Sequence, residues 1–155
     1  MREILFRGKR LDNGEWVESH GISRGRPDEK SGYKYYLGIG GGAIVGTNEA
    51  GNIVRLEARE DCLYCEVDPD TVGQCTGLKD RNGKRIFEGD LVKYHDRIFG
   101  DVVAEIIYSE TGVCFCARCV KRRNNQPALD IVMNESEIEV IGNVYDNPEL
   151  LEAAT

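Results

Sequence analysis

The sequence predicts a mainly β fold of short strands and hairpins with little helix, and three observations carry that expectation. Eighteen glycines stand against four prolines, a balance that suits many tight turns better than long helices. Short apolar runs recur at intervals of about 8–12 residues with turn residues between them, the pattern of a compact barrel or sandwich. Asn13-Gly14 and Asn82-Gly83 sit between strand-like runs and mark two hairpins.

Taken in order, Ile4 and Phe6 lead to the first hairpin, where Asn13-Gly14 can supply the two positive φ angles of a type I′ turn before Trp16 and Val17. Residues 21–32 are rich in Gly, Ser and charge and read as an exposed loop. Tyr33, Tyr35 and Tyr36 run into a glycine-rich stretch, Gly38 to Ala43. That stretch lacks a following Gly-Lys-Ser/Thr and opens no helix, so a loop or bulged strand linker is expected rather than a phosphate cradle. Strands follow at Ile53–Ala58 and Leu63–Val67, ending at the Asp68-Pro69 turn.

Residues 68–94 are the densest stretch: a strand over Val72–Leu78, the turn Asp80-Arg81-Asn82-Gly83-Lys84, a return through Ile86 and Phe87, and the corner Glu88-Gly89-Asp90. Leu91, Val92 and Tyr94 should then pair, through a turn near Phe99-Gly100, with Val102, Val103, Ile106 and Ile107. Gly112 turns the chain into Val113, Phe115 and Ala117, and Leu129, Ile131 and Met133 alternate as a further strand. A helical turn is expected at Asn134–Ile138, a last strand at Ile138–Ile141, and a short helix after Asn147-Pro148, with Asn as N-cap and Pro at the first position. Residues 1–155 are expected to form a single domain. Its sub-lobes would be 1–60, with the first hairpin and the glycine-rich loop, and 61–155, barrel-like. Residues 87–144, entered through Glu-Gly-Asp, suggest a small SH3-like barrel.

Composition bounds the function. The chain has 155 residues, 41% hydrophobic and 30% charged, an ordinary globular balance that can bury a core without staples. No apolar run approaches the length of a membrane span, and the charged start MREILFRGKRL has no signal-peptide character. A cytoplasmic protein is the expectation. The net charge of −7 is uneven: residues 1–60 hold ten basic and nine acidic side chains, residues 61–155 ten and eighteen. Such a body repels phosphate backbones and disfavours nucleic acid as a partner. Lys121, Arg122 and Arg123, before Asn124 and Asn125, run the other way and read as a solvated loop.

Six cysteines raise a metal hypothesis: Cys62-x-x-Cys65 and Cys116-x-x-Cys119 are two CxxC pairs, with Cys75 and Cys114 besides. Both pairs lie in strand-like runs, where residues three apart point to opposite faces and cannot share an ion without a bend. Buried or surface thiols are therefore expected, with no metal and no cofactor. His20 and His95 are isolated in sequence from any nucleophile or carboxylate partner. Asp80, Glu88 and Asp90 match no cation-binding loop and are explained as turn and corner residues. No catalytic residue is identified.

Residues Thr71 to Val92, TVGQCTGLKDRNGKRIFEGDLV, closely resemble the YopX family of phage and prophage proteins. Phe6-Arg7-Gly8-Lys9 with Trp16, and Ile141 to Leu151 (IGNVYDNPELL), resemble the two ends of the same family, so the likeness spans nearly the whole chain. It implies a complex, mostly β fold, a phage-associated origin with the host bacterial cytoplasm as location, and no catalytic residues to transfer. The glycine-rich region 38–51 and Cys114–Cys119 fall outside it. A non-enzymatic protein acting through protein–protein contacts, including self-association as a homo-oligomer, is the leading expectation. A nucleic-acid-binding module built on the SH3-like barrel is the alternative, by analogy of fold alone.

Overall fold

In a computed structural model, residues 4–25, 34–39, 44–47, 53–57, 63–119 and 126–152 are described. The chain forms two compact units, Leu5–Val72 and a second comprising Met1–Ile4 with Gly73–Thr155. Among the described residues no helix is long and apolar enough to cross a membrane.

Among the described residues the first unit holds seven strands. β1 (Phe6–Lys9) and β2 (Trp16–Ser19) form the first hairpin, with Lys9 opposite Trp16. Its turn is not type I′. Gly14 has φ +72° but Asn13 does not have positive φ, and the Arg10 N–H closes the loop on the Glu15 carbonyl at 2.9 Å. Asn13 acts through its side chain instead, Oδ1 accepting from the Glu15 N–H at 3.0 Å. β3 (Ile22–Arg24), β4 (Tyr35–Ile39) and β7 (Leu63–Val67) make an antiparallel sheet, and β5 (Ile44–Thr47) pairs with β6 (Ile53–Glu57). Leu5, Leu37, Cys65 and Val67 are buried here. Gly8 lies close over them: a Cβ there would meet Leu37 and Val67 at 3.2 Å. Asp68 caps the 3-10 turn Pro69–Thr71 by accepting from the Asp70 N–H.

The second unit begins with β8 (Gly73–Lys79) and β9 (Arg85–Phe87), joined through the five residues 80–84. Gly83 takes φ +79° and its N–H reaches the Asp80 carbonyl, a type I turn followed by a left-handed residue. β10 (Asp90–Asp96), β11 (Gly100–Ser109), β12 (Cys114–Cys119) and β13 (Glu139–Asn143) form an antiparallel sheet in the order β12-β11-β10-β13. Alternate residues of that sheet, among them Val92, Tyr94, Val102, Ala104, Ile106 and Val140, form one core with Ile86 and helix α1 (Leu129–Glu135). The short helix α2 (Glu149–Glu152) follows Asn147-Pro148.

Three further expectations are overturned. The small SH3-like barrel over residues 87–144 is not formed, and no sheet among the described residues closes on itself. Closure would require β12 to pair with β13, and both free edges are otherwise engaged. Val140 donates to Asp80 Oδ2 (3.0 Å) and Ile138 accepts from the Arg81 N–H (2.9 Å). On the other edge Cys116 bridges to Ala128 and Ala117 donates to the Pro127 carbonyl. Leu129-Ile131-Met133 is helix rather than strand: Leu129 and Val132, three apart, are buried while Ile131 is exposed. That helix ends at Ser136, so the helical turn expected over Asn134–Ile138 lies earlier in the chain.

Asp80 ties the hairpin to the sheet. Its carboxylate is 7% exposed, with Oδ1 accepting from the N–H groups of Asn82 and Lys84 at 2.8 Å and Oδ2 from Val140. Burial alone would raise this carboxyl, but the three backbone donors, with Lys84 nearby, outweigh it and hold Asp80 below the ordinary range. The corner is held likewise: Gly89 donates to Ile106 (2.8 Å) and accepts from Val144 (2.9 Å), and the buried Asp90 accepts from the Phe87 N–H at 2.8 Å.

Asp80→Ala would orphan three donors and should destabilise the fold by about 3 kcal/mol, at ~1 kcal/mol or more per donor, seen as a lower urea midpoint with unchanged slope. Because the folded-state value is depressed, the Asp80 contribution is complete above its unfolded pKa of about 3.9. It is lost as pH falls through the folded value. Asp80→Asn should flatten that acid limb, and an unaltered acid limb would show that the carboxylate is not the clamp. At Gly89, φ is +76° and a Cβ would lie 2.9 Å from Tyr145. Gly89→Ala should cost about 1–3 kcal/mol, and adding Tyr145→Ala should recover only the steric part. A neutral Gly89→Ala would mean that the corner adapts.

Candidate functional site

A groove of about 590 Å³ opens on the second unit. One wall is β8, through Gln74, Thr76 and Leu78; the other is the β11–β12 hairpin, through Tyr108, Val113 and Phe115, with Leu129 and Asp130 of α1 alongside. Tyr108 and Phe115 lie opposite each other across the two strands. Their rings meet edge to face at 5.5 Å and 72°, where the apolar face of the sheet runs out from the core. Val113 is 72% exposed and has φ 52°, a left-handed conformation that strains a β-branched residue. Glu88 and Asp130 place acidic groups among this lining, while Thr76 Oγ1 is engaged with the Ile86 carbonyl at 2.9 Å. The groove therefore offers aromatic and aliphatic surface with carboxylates, and among the described residues no His or Lys lines it.

A second concavity of about 270 Å³ lies beside His95 and Ser136. Sequence separation had kept His95 from any partner, and the fold supplies two. Its Nδ1 is 2.9 Å from Asp101 Oδ1 on β11, and its backbone N–H donates to Ser136 Oγ. The Ser136 hydroxyl is thus bonded to main chain and not to the imidazole, so the three residues do not form a nucleophile–base–carboxylate relay. Hydrogen bonds from His95 and from Lys93 hold the exposed Asp101 carboxyl below its ordinary value. His20 follows β2 in the other unit and is exposed.

Among the cysteines, Cys62 lies outside the described residues, as do Lys121–Asn125 and Gly40–Ala43 of the glycine-rich run; Gly38 lies within β4. Cys65 and Cys75 are buried. On β12, Cys119 joins the core, and alternation directs Cys116 to the other face. The thiol that meets Cys116 is Cys114, sulfur to sulfur at 3.7 Å. Burial, then this neighbour, pushes the Cys116 thiol up to about 11, which leaves it a poor nucleophile at neutral pH. The two-residue strand period was the signal that could have found this pair. Asp80, Glu88 and Asp90 are engaged with backbone, Glu88 Oε2 accepting from the Gln74 N–H at 2.9 Å. Among the described residues no three His, Cys, Asp or Glu side chains gather as a metal-holding group.

These features define a mainly β protein of two units with a surface groove. Its fold is similar to that in the crystal structure of protein EF1440 from Enterococcus faecalis, with a TM-score of 0.50 and 24% identity over 96% of this chain and 97% of that one. No curated protein matches the chain. The family model described as YopX protein matches residues 5–152, and the chain belongs to the YopX family.

Alkylation of the native protein at neutral pH should modify the half-buried Cys114 ahead of Cys65, Cys75, Cys116 and Cys119, all buried. Mass spectrometry of the partly labelled chain checks the order, and equal rates at all five would contradict the burial seen here.

Proposed function

We propose that this protein is non-enzymatic and acts through protein–protein contacts, with the groove between β8 and the β11–β12 hairpin as the contact site. The observation that carries the reading is the half-open aromatic pair Tyr108–Phe115 beside the exposed, strained Val113. Large apolar groups with a polar margin favour macromolecular contact over chemistry on a small substrate. The acidic residues of the groove and the net charge of residues 61–155, ten basic against eighteen acidic, favour a partner segment that joins Lys or Arg to apolar side chains. Strand addition at Val140 or at Cys116–Ala117 is blocked, because those edge positions are already bonded within the chain. Self-association belongs to the same reading, through faces rather than edges, and a phage or prophage role in the bacterial cytoplasm accords with the family.

The nucleic-acid alternative rested on the barrel, and the open sheet removes its ground.

Selection of a random peptide library against the immobilised chain should enrich basic–apolar segments. Val113→Asp and Tyr108→Ala should each weaken the selected peptides by about tenfold, or ~1.4 kcal/mol, and Ile98→Ala, at an exposed hairpin tip, should leave them unchanged. Peptides indifferent to the groove variants, together with a strict monomer by light scattering, would sink the reading.

A further inference from the structure

The β10–β11 hairpin ends in a loop of Arg97, Ile98 and Phe99, between the paired Asp96 and Gly100. Tight loops ordinarily carry Gly, Asn, Asp and Ser, yet here two neighbouring residues are large and apolar. Ile98 is 80% exposed and Phe99 43%, and Arg97 beside them is exposed as well. The loop is held in one shape. The buried Asp96 accepts from the N–H groups of Ile98 (2.8 Å) and Phe99 (3.0 Å), and Gly100 takes φ +71°. Asp96 and Gly100 set this turn, so its geometry does not require apolar side chains at 98 and 99. A tip fixed in advance loses little freedom when it binds.

Arg97-Ile98-Phe99 joins a cation to apolar side chains, the chemistry that suits a groove where Tyr108, Val113 and Phe115 stand with Glu88 and Asp130. The tip cannot enter the groove of its own chain. The strand between Phe99 and Tyr108, at about 3.3 Å per residue, holds the two roughly 30 Å apart at opposite ends of β11. We propose that the Arg97–Phe99 tip of one copy seats in the groove of a second copy, Ile98 and Phe99 against Tyr108, Val113 and Phe115, and Arg97 toward Asp130. The inference rests on the groove being a contact site and names its occupant. Tip and groove are different patches, so each copy gives one and offers the other. So small a knob covers far less than the roughly 1,200 Å² of a standard interface, and two chains of net charge −7 repel. Each link is therefore weak, with a Kd on the order of 10–100 μM. It is absent between sparsely immobilised chains, whose grooves stay open to peptides whatever residue stands at 98. The same acidic charge disfavours an anionic bilayer as the seat of the tip.

Sedimentation equilibrium of the full-length chain, from well below to well above that concentration, should show a mass rising above the monomer. Ile98→Asp and Val113→Asp should each weaken the association by about tenfold or more. Both sites are exposed, and Asp tolerates the left-handed backbone at 113 better than Val does, so both variants keep the fold and its circular dichroism. The decisive measurement is an equimolar mixture of the two variants. One supplies an intact groove and the other an intact tip, so the mixture should recover association and stop at one copy of each. Arg97→Glu should weaken the wild-type link by about fivefold, and Asp130→Arg in the same chain should return most of it. A monomer at every concentration, association that survives either single variant, or a mixture that stays monomeric overturns the proposal. Ile98-dependent binding to phosphatidylglycerol vesicles without association of copies assigns the tip to a membrane and overturns it equally. Library peptides that still depend on Val113 and Tyr108 in that event leave the groove a contact site with another occupant, whereas peptides indifferent to both variants remove the two readings together.

Discussion

One buried carboxylate sets the geometry of the second unit. Asp80 opens the β8–β9 loop, and its two oxygens are divided between that loop and a strand 60 residues further along the chain. Three backbone donors on one small anion form a strong cluster, and each would cost free energy if left buried and unmet. The hairpin and β13 cannot move apart without losing the Val140 bond to Asp80 and the Arg81 bond to Ile138 together. Gly83, with φ +79°, makes the loop tight enough for the Asp80 side chain to reach its own turn, so the local and distant bonds are met together.

The shape of the sheet follows from that constraint. An edge strand presents unpaired N–H and C=O groups and invites another strand, and a four-stranded sheet has two such edges. Here the β13 edge meets the Asp80 carboxylate and the Arg81 N–H, and the β12 edge meets Pro127 and Ala128. Groups used in this way are not available for β12 to pair with β13, nor for a partner strand to add at those positions. A contact surface must then lie on a face, where side chains rather than main chain decide what binds.

The sequence announced its turns far better than its closures. Asp80, Asn82-Gly83 and Gly89-Asp90 mark their corners because few residues accept left-handed backbone or can bond their own N–H groups. The strands between them carried clear alternation, and β10 and β11 fell where expected. A barrel and an open sheet share that pattern, since alternation reports which face is buried and not which edges meet. Leu129-Ile131-Met133 misled for a related reason. Over seven residues a two-residue period competes with a helical one, and the burial of Leu129 and Val132 settles it only in the fold. The groove was not legible, because Leu78, Tyr108, Phe115 and Leu129 come from four separate elements. The Cys114–Cys116 pair was in principle legible, yet the CxxC spacing drew the reading toward residues that a strand holds apart.

The stretches that resemble the YopX family are largely occupied with chain geometry. Glu88 returns to Gln74, Gly89 joins Ile106 to Val144, and Asn143 Oδ1 takes the N–H groups of Tyr145 and Asp146. Gly142 is small because a Cβ would fall 2.5 Å from Asn147 Oδ1. Such residues serve the geometry of the chain and are poor guides to binding. The groove divides along the same line. Its β8 wall lies within the motif that builds the corner, whereas Tyr108, Val113, Phe115, Leu129 and Asp130 lie outside every motif stretch. One wall is thus fixed by the demands of folding, and on the other Leu129 and Phe115 also serve the core, while Tyr108 and Val113 stand exposed.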